Sequence, residues 1–249
     1  MEYTLLLLLF FLIATIYASA GFGGGSSYLA VMALWGVQTT TLKSTALLCN
    51  LVVVVGGTYI FWKNGYLNFK KITPLSIASV PMAFWGGSMK LNDTTFFILL
   101  GVSLVAAALL MFFQKKNTDN SPENSQNRIV LSTGIGAGIG FLSGMVGIGG
   151  GIFLSPILNM MRWDKPKNIA ATAGFFILVN SIAGLAGQLF QHQLSLDWAF
   201  ALPLMLAVLL GGQLGSRVSA VTFNQSHVRW ATAVLIFYAG VNILCTHAR

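Results

Sequence analysis

Gly21-Phe22-Gly23-Gly24-Gly25 and, later in the chain, Gly147-Ile148-Gly149-Gly150-Gly151 write one pattern twice, each followed by an apolar run. Outward from these two blocks, further matches fall in the same order. Ser44-Thr45-Ala46 pairs with Ala171-Thr172-Ala173, Leu67-Asn68 with Leu196-Asp197, Pro74 with Pro203, and Gly86 with Gly215. Uncommon residues shared in constant order mark an internal duplication. Duplicated halves are frequent among transporters.

The medium follows from composition. Of 249 residues, 55% are apolar and 8% charged, with 27 Gly, 18 Phe and only six Asp and Glu. So few charges cannot cover a water-soluble surface, and several apolar stretches reach the roughly 20 residues that cross a hydrocarbon core. Lipid is therefore the solvent. The formal charge of +8 comes from 14 Lys and Arg confined to short segments between apolar runs. That is the pattern of membrane-protein loops and not a nucleic-acid footprint. Cys49 and Cys245 lie in apolar runs, match no metal or redox spacing, and read as small packing residues without a disulfide. Residues 4–17 resemble a signal-peptide core, with Ala18-Ser19-Ala20 as a cleavage site. The segment nevertheless begins with Glu2, lacks Lys and Arg, and has an internal copy, so it is read as retained.

Each half offers three spans and one unusual element. The spans cover residues 44–62, 72–90 and 95–113, then 168–190, 198–217 and 227–246. The unusual element is a pair of apolar arms about each glycine cluster, 4–20 with 26–36 and 130–144 with 152–161; the second arm of each is too short to span. The expected fold is thus an all-α polytopic membrane protein of two homologous, inverted repeats. Each repeat has a Gly-tipped re-entrant or broken helix pair plus three full spans. Residues 1–114 form the first repeat and 129–249 the second, with the polar segment 115–128 as a surface linker.

Charge decides how the arms run. If each pair crossed once, the basic residues would divide seven and seven between the faces. If each pair enters and returns to one face, Lys63, Lys70, Lys71, Lys115, Lys116, Arg128, Arg162, Lys165, Lys167, Arg217 and Arg229 share a face, leaving Lys43, Lys90 and Arg249 opposite. The positive-inside bias favours the second arrangement, with the basic face cytoplasmic and both termini periplasmic. It also makes the crossings per half odd, which inverts the second half and places a site near the midplane.

A glycine cluster at a tip inside lipid frees backbone groups that must be buried in protein or line a wet cavity. The helix beginning at Ser26 or Ile152 then presents an N-terminus that favours an anion. Candidate substrate-binding residues are therefore Gly23, Gly24, Gly25, Ser26, Gly149, Gly150 and Gly151. Polar residues within spans add Thr45, Asn50, Thr172, Asn180 and Gln213, with Thr45 and Thr172 related by the repeat. The plainer reading of the glycines is close helix packing. The plainer reading of the polar side chains, Ser27 and Gln188 included, is helix–helix bonding. Lys43 and Arg217 stand at span ends, where long basic side chains snorkel. Glu2, Asp93, Asp119, Glu123, Asp164 and Asp197 lie in loops or at span ends, as do His192, His227 and His247. A cation site or a carboxylate proton relay is thus disfavoured.

Gly21-Phe22-Gly23-Gly24-Gly25 and the longer block Gly144-Met145-Val146-Gly147-Ile148-Gly149-Gly150-Gly151-Ile152-Phe153-Leu154-Ser155-Pro156 resemble the two signature blocks of the sulfite exporter TauE/SafE family. The likeness runs through the duplication to Gly86-Gly87 and Gly211-Gly212-Gln213-Leu214-Gly215. It implies a bacterial inner-membrane permease for sulfur-containing anions such as sulfite or an organosulfonate. The first block departs from the pattern in Ser26-Ser27-Tyr28 and in having no proline to match Pro156.

The expected function is transport of a small anion, with the lipid bilayer and the solute as partners and no nucleic acid, metal, cofactor or catalytic group. Assembly as a homo-oligomer is compatible with it. A membrane enzyme would need a nucleophile with a base, or a metal cluster, and the spans carry neither. A non-transporting subunit is the other alternative.

Overall fold

The structure, a computed structural model, describes residues 2–19, 21–114, 127–218 and 225–247. The chain runs as α1 (Glu2–Ser19), α2 (Gly25–Leu34), α3 (Thr39–Lys63), α4 (Phe69–Ser88) and α5 (Asp93–Phe113). It continues as α6 (Asn127–Val146), α7 (Gly151–Met160), α8 (Pro166–Phe190), α9 (Trp198–Val218) and α10 (Gln225–His247). Residues 115–126 of the expected linker lie outside the described residues, and α6 already begins at Asn127.

Local chemistry sets several boundaries. The Asn92 side chain accepts from the amide of Thr95 at 2.8 Å and caps α5. Pro166 opens α8, where its missing N–H costs nothing. Asp197 accepts from the amide of Ala199 at 3.0 Å and starts α9. Among the described residues, α3, α5, α8, α9 and α10 are long and apolar enough to cross a bilayer. The 20-residue α4 is less apolar, because Lys70, Lys71, Pro74 and Pro81 fall within it. Along α9, Leu202, Leu206, Leu210 and Leu214 form an exposed stripe at helical spacing, a face suited to lipid.

Helix contacts come in matched pairs. α4 packs on α6 as α9 packs on α1, α4 on α8 as α9 on α3, and α2 on α3 as α7 on α8. Small residues make the closest of these. A Cβ on Gly136 would stand 2.6 Å from the carbonyl oxygen of Leu75, and one on Gly140 2.5 Å from that of Ser79. In the other half, Gly211 and Gly215 of α9 lie against the carbonyls of Phe11 and Thr15 on α1. Gly86 meets α6 as Gly215 meets α1, so these two repeat-related glycines do the same work.

Contacts along each pair give the helix directions. Ser44 bonds Gln188, Leu47 meets Gly184, and Thr58 meets Gly174, so α3 and α8 are antiparallel. Tyr3 bonds the Phe200 carbonyl while Thr15 meets Gly215, so α1 and α9 are parallel. α2 folds back along α1: the rings of Phe10 and Tyr28 stack at 4.7 Å, whereas a continuous helix would separate those positions by about 27 Å.

Loop contacts define two ends. At one, Lys71 pairs with Asp164 at 2.7 Å, and Lys167 lies 5.6 Å from the Tyr66 ring centroid. At the other, Thr39 bonds Asp93, Thr41 lies 3.3 Å from Ser195, and Gln193 donates to the Ser88 carbonyl at 3.0 Å.

Candidate functional site

Both glycine tips lie in the groove between α3 and α8. Gly21 meets Phe61 of α3 and Ala170 of α8, while Gly149 meets Asn50 of α3 and Ile177 and Ser181 of α8. Gly24 and Gly150 are the N-cap positions of α2 and α7, with φ of 88° and 81°. A side chain there is strained, so the sequence must use glycine.

Asn50 joins the tips. Its Nδ2 donates to the Ile148 carbonyl at 3.0 Å. The same nitrogen faces Gly25 of the first tip and stands 2.8 Å from where a Gly149 Cβ would be. Its Oδ1 faces Gly23 and is buried without a partner. Asn50 is wholly buried, so an acceptor left unpaired there is costly.

The helix ends also lack side-chain caps: no side chain among the described residues caps α2 or α7. Ser27 and Tyr28 donate to the Gly24 carbonyl, and Phe153 and Leu154 to that of Gly150. The preceding amides of each first turn precede any i−4 carbonyl of their own helix and are left for another acceptor.

The other sequence candidates fall in different places. Ser26 is buried in the first turn of α2. Thr45 and Thr172 are buried at matching turns of α3 and α8, and the Thr45 hydroxyl has no partner. Asn180 turns back on its own helix, donating to the Phe176 carbonyl at 2.8 Å. Gln213 is half-buried, and its amide nitrogen lies against Gly56 rather than either tip. Ser27 bonds Tyr17 at 2.5 Å and Gln188 accepts from Ser44 at 2.7 Å, both of them helix–helix bonds. Lys43 departs from the expected snorkelling: it is 7% exposed, with its ammonium 5.9 Å from the Phe96 ring centroid.

Sequence reasoning passed over Ser143, Ser181 and Tyr28, whose buried hydroxyls lack partners beside the tips. Ser181 lies one turn beyond Ile177 on the tip-facing side of α8, a side that only the structure identifies. A narrow cavity beside the first tip, with room for about one water, is lined by Gly21, Phe22, Thr58, Phe61, Gly174 and Ser216. Toward the opposite end of the same groove, Leu47 packs near Gly184 and the Ser44–Gln188 bond closes the gap.

Comparison with known proteins adds the following. Residues 6–243 match the family described as Sulfite exporter TauE/SafE. The chain is 34% identical over 244 residues to "Probable membrane transporter protein y4hK" of Sinorhizobium fredii, covering 94% of this chain and 95% of that one. It is 23% identical over 262 residues to "Probable membrane transporter protein YunE" of Bacillus subtilis, covering 95% of each. A second Bacillus subtilis protein, "Probable membrane transporter protein YjnA", is 25% identical over 240 residues, covering 90% of this chain and 92% of that one. No solved structure matches the chain.

Proposed function

Because the chain belongs to the sulfite exporter TauE/SafE family and is a membrane transporter rather than an enzyme, we propose that it is a permease for a small sulfur-containing anion. Sulfite or an organosulfonate binds at the midplane, between two inverted repeats. The observation that carries this reading is the meeting of both glycine tips at Asn50. Two uncapped helix N-termini and a carboxamide make an anion site mainly of backbone, suited to a solute that must be released again. Gly23 to Ser26 and Gly149 to Gly151 line it with Asn50, and the repeated Thr45 and Thr172 border it.

The antiparallel run of α3 and α8 and the matched helix pairs support inversion, with residues 1–114 and 129–249 as the two repeats. The end that gathers Lys63, Lys70, Lys71, Arg162, Lys165 and Lys167 faces the cytoplasm, with both termini periplasmic. The membrane is a bacterial inner membrane. The cavity on one side of the tips and the Leu47 and Gln188 closure on the other support a gated passage. A homo-oligomer is compatible with the exposed apolar faces.

Purified protein in liposomes tests the reading through uptake and efflux of sulfite, beside thiosulfate, taurine, sulfate and a neutral solute. Selective movement of a sulfur-containing anion is expected. Movement of none of them above protein-free vesicles overturns it.

A further inference from the structure

The charge available at the two tips limits the charge of what they hold. A helix N-terminus acts as about half an elementary positive charge. The N-termini of α2 and α7 both abut Asn50, so together they supply about one. Neither is neutralised by an acidic cap.

Few other charges are buried near the tips. Among the described buried residues, Lys43 is the only charged side chain. It precedes Asn50 by seven positions, about 10 Å along α3. It approaches the second tip at Gly147 through its backbone and Cβ, while its ammonium lies over Phe96 of α5. Arg229 stands in the second turn of α10, which packs on α2, and Ile177 and Ser181 of α8 lie against Gly149. The remaining titratable groups about the tips, Tyr17, Tyr28 and Cys49, carry no charge at neutral pH at their ordinary values. The two helix ends therefore balance one negative charge, and a second would need another cation brought to them in a low-dielectric site.

A separate observation points the same way. The orphaned Oδ1 of Asn50 is an acceptor only, because Nδ2 is fixed by its bond to the Ile148 carbonyl. A buried acceptor that the protein leaves unpaired calls for a donor on the solute. Fully deprotonated sulfite has no O–H to offer, whereas its protonated monoanion has one.

We propose that the site takes sulfite as the singly charged, protonated form, so that one net negative charge crosses with each solute molecule. The inference rests on the permease reading above and adds the ionisation state to it. The proton stays on the solute throughout, and no coupling ion is needed to balance charge at the tips.

The test uses the full protein in liposomes, with sulfite as the probe and the voltage set by a potassium gradient and valinomycin. At neutral pH, a tenfold sulfite gradient should be held by about 59 mV, the value for one charge. Balance at about 30 mV means two charges and overturns the proposal. Initial rates at fixed total sulfite provide the second measurement. Above the second ionisation of sulfite they should fall about tenfold per pH unit, following the monoanion, after subtraction of protein-free vesicles. A rate that holds level or rises with pH overturns the proposal while leaving the permease intact. Absence of any sulfur-anion flux at every pH removes the permease reading itself, and the proposal with it.

Discussion

The carboxamide of Asn50 on α3 donates at 3.0 Å to the carbonyl of Ile148, so a helix of the first half of the chain holds the glycine tip of the second. Counted from Thr45 and Thr172, the position matching Asn50 in the second half is Ile177. Ile177 packs its methyl groups against Gly149 and Gly151, as Asn50 packs against Gly23 and Gly25. The centre is therefore asymmetric although the helix contacts around it come in matched pairs. A single polar side chain serves both tips.

Removing that side chain should cost transport. Asn50→Leu leaves the Ile148 carbonyl unpaired and deletes the orphaned acceptor, so sulfite flux is expected to fall about 5- to 150-fold, the equivalent of the roughly 1–3 kcal/mol of a lost buried hydrogen bond. Asn50→Asp adds a negative charge at the tips and should be worse. Flux equal to wild type in both, per mole of protein in the membrane, would place the site elsewhere.

Gly24→Leu and Gly150→Leu should abolish flux while the protein still reaches the membrane. At φ of 88° and 81° a side chain adds roughly 1–2 kcal/mol of backbone strain. Its Cβ would also meet Tyr28 at 2.8 Å or Phe176 at 2.8 Å. Gly138→Leu is the matched control, since a Cβ there meets nothing within 4 Å. Normal flux in both tip variants would remove them from the site.

Packing glycines should fail differently. Gly140→Leu drives a side chain into the backbone of α4 at Ser79, and Gly211→Leu into that of α1 at Phe11. Both are expected to reduce the amount of monodisperse protein recovered in detergent, because these helices approach through small residues. Wild-type recovery with normal flux would show that α4–α6 and α1–α9 packing is looser than the structure has it.

The ion pair between Lys71 and Asp164 should give a pH-dependent contribution to stability. Burial pushes the Asp164 carboxyl upward, but the Lys71 ammonium, the Lys165 amide and Asn168 outweigh it and hold the group below its ordinary value. A depressed carboxyl stabilises the fold above its unfolded value of about 3.9 and loses that contribution as pH falls through the lower folded one. Since Lys71 is 37% exposed, the gain is less than about 1 kcal/mol. Asp164→Asn should lower the thermal midpoint slightly at pH 7, and the difference should vanish in strong acid. An equal difference at both pH values would contradict this origin.

Thiol labelling checks the orientation. In a Cys245→Ser background the remaining Cys49 is buried. Ser195→Cys should then react with an impermeant reagent added to intact cells, whereas Lys165→Cys should react only after the membrane is opened. The reverse result would turn the protein over.

Much of this protein was legible in the chain alone. Composition made lipid the solvent, and apolar lengths gave the helices, because a span's length is fixed by bilayer thickness and not by its neighbours. The recurrence of Gly21–Gly25 at Gly147–Gly151 marked the two tips, because left-handed caps leave little choice but glycine. The neighbours of the polar side chains were not legible. Asn50, Asn180 and Gln213 are all amides within apolar helices, yet Asn50 lies between both tips, Asn180 turns back to Phe176, and Gln213 meets Gly56. Each residue turns a helix by about 100°, so a side chain's surroundings depend on how that helix is rotated against its partners. That rotation is set by where Gly136, Gly140, Gly211 and Gly215 let backbones touch, and only the folded assembly of both repeats decides it.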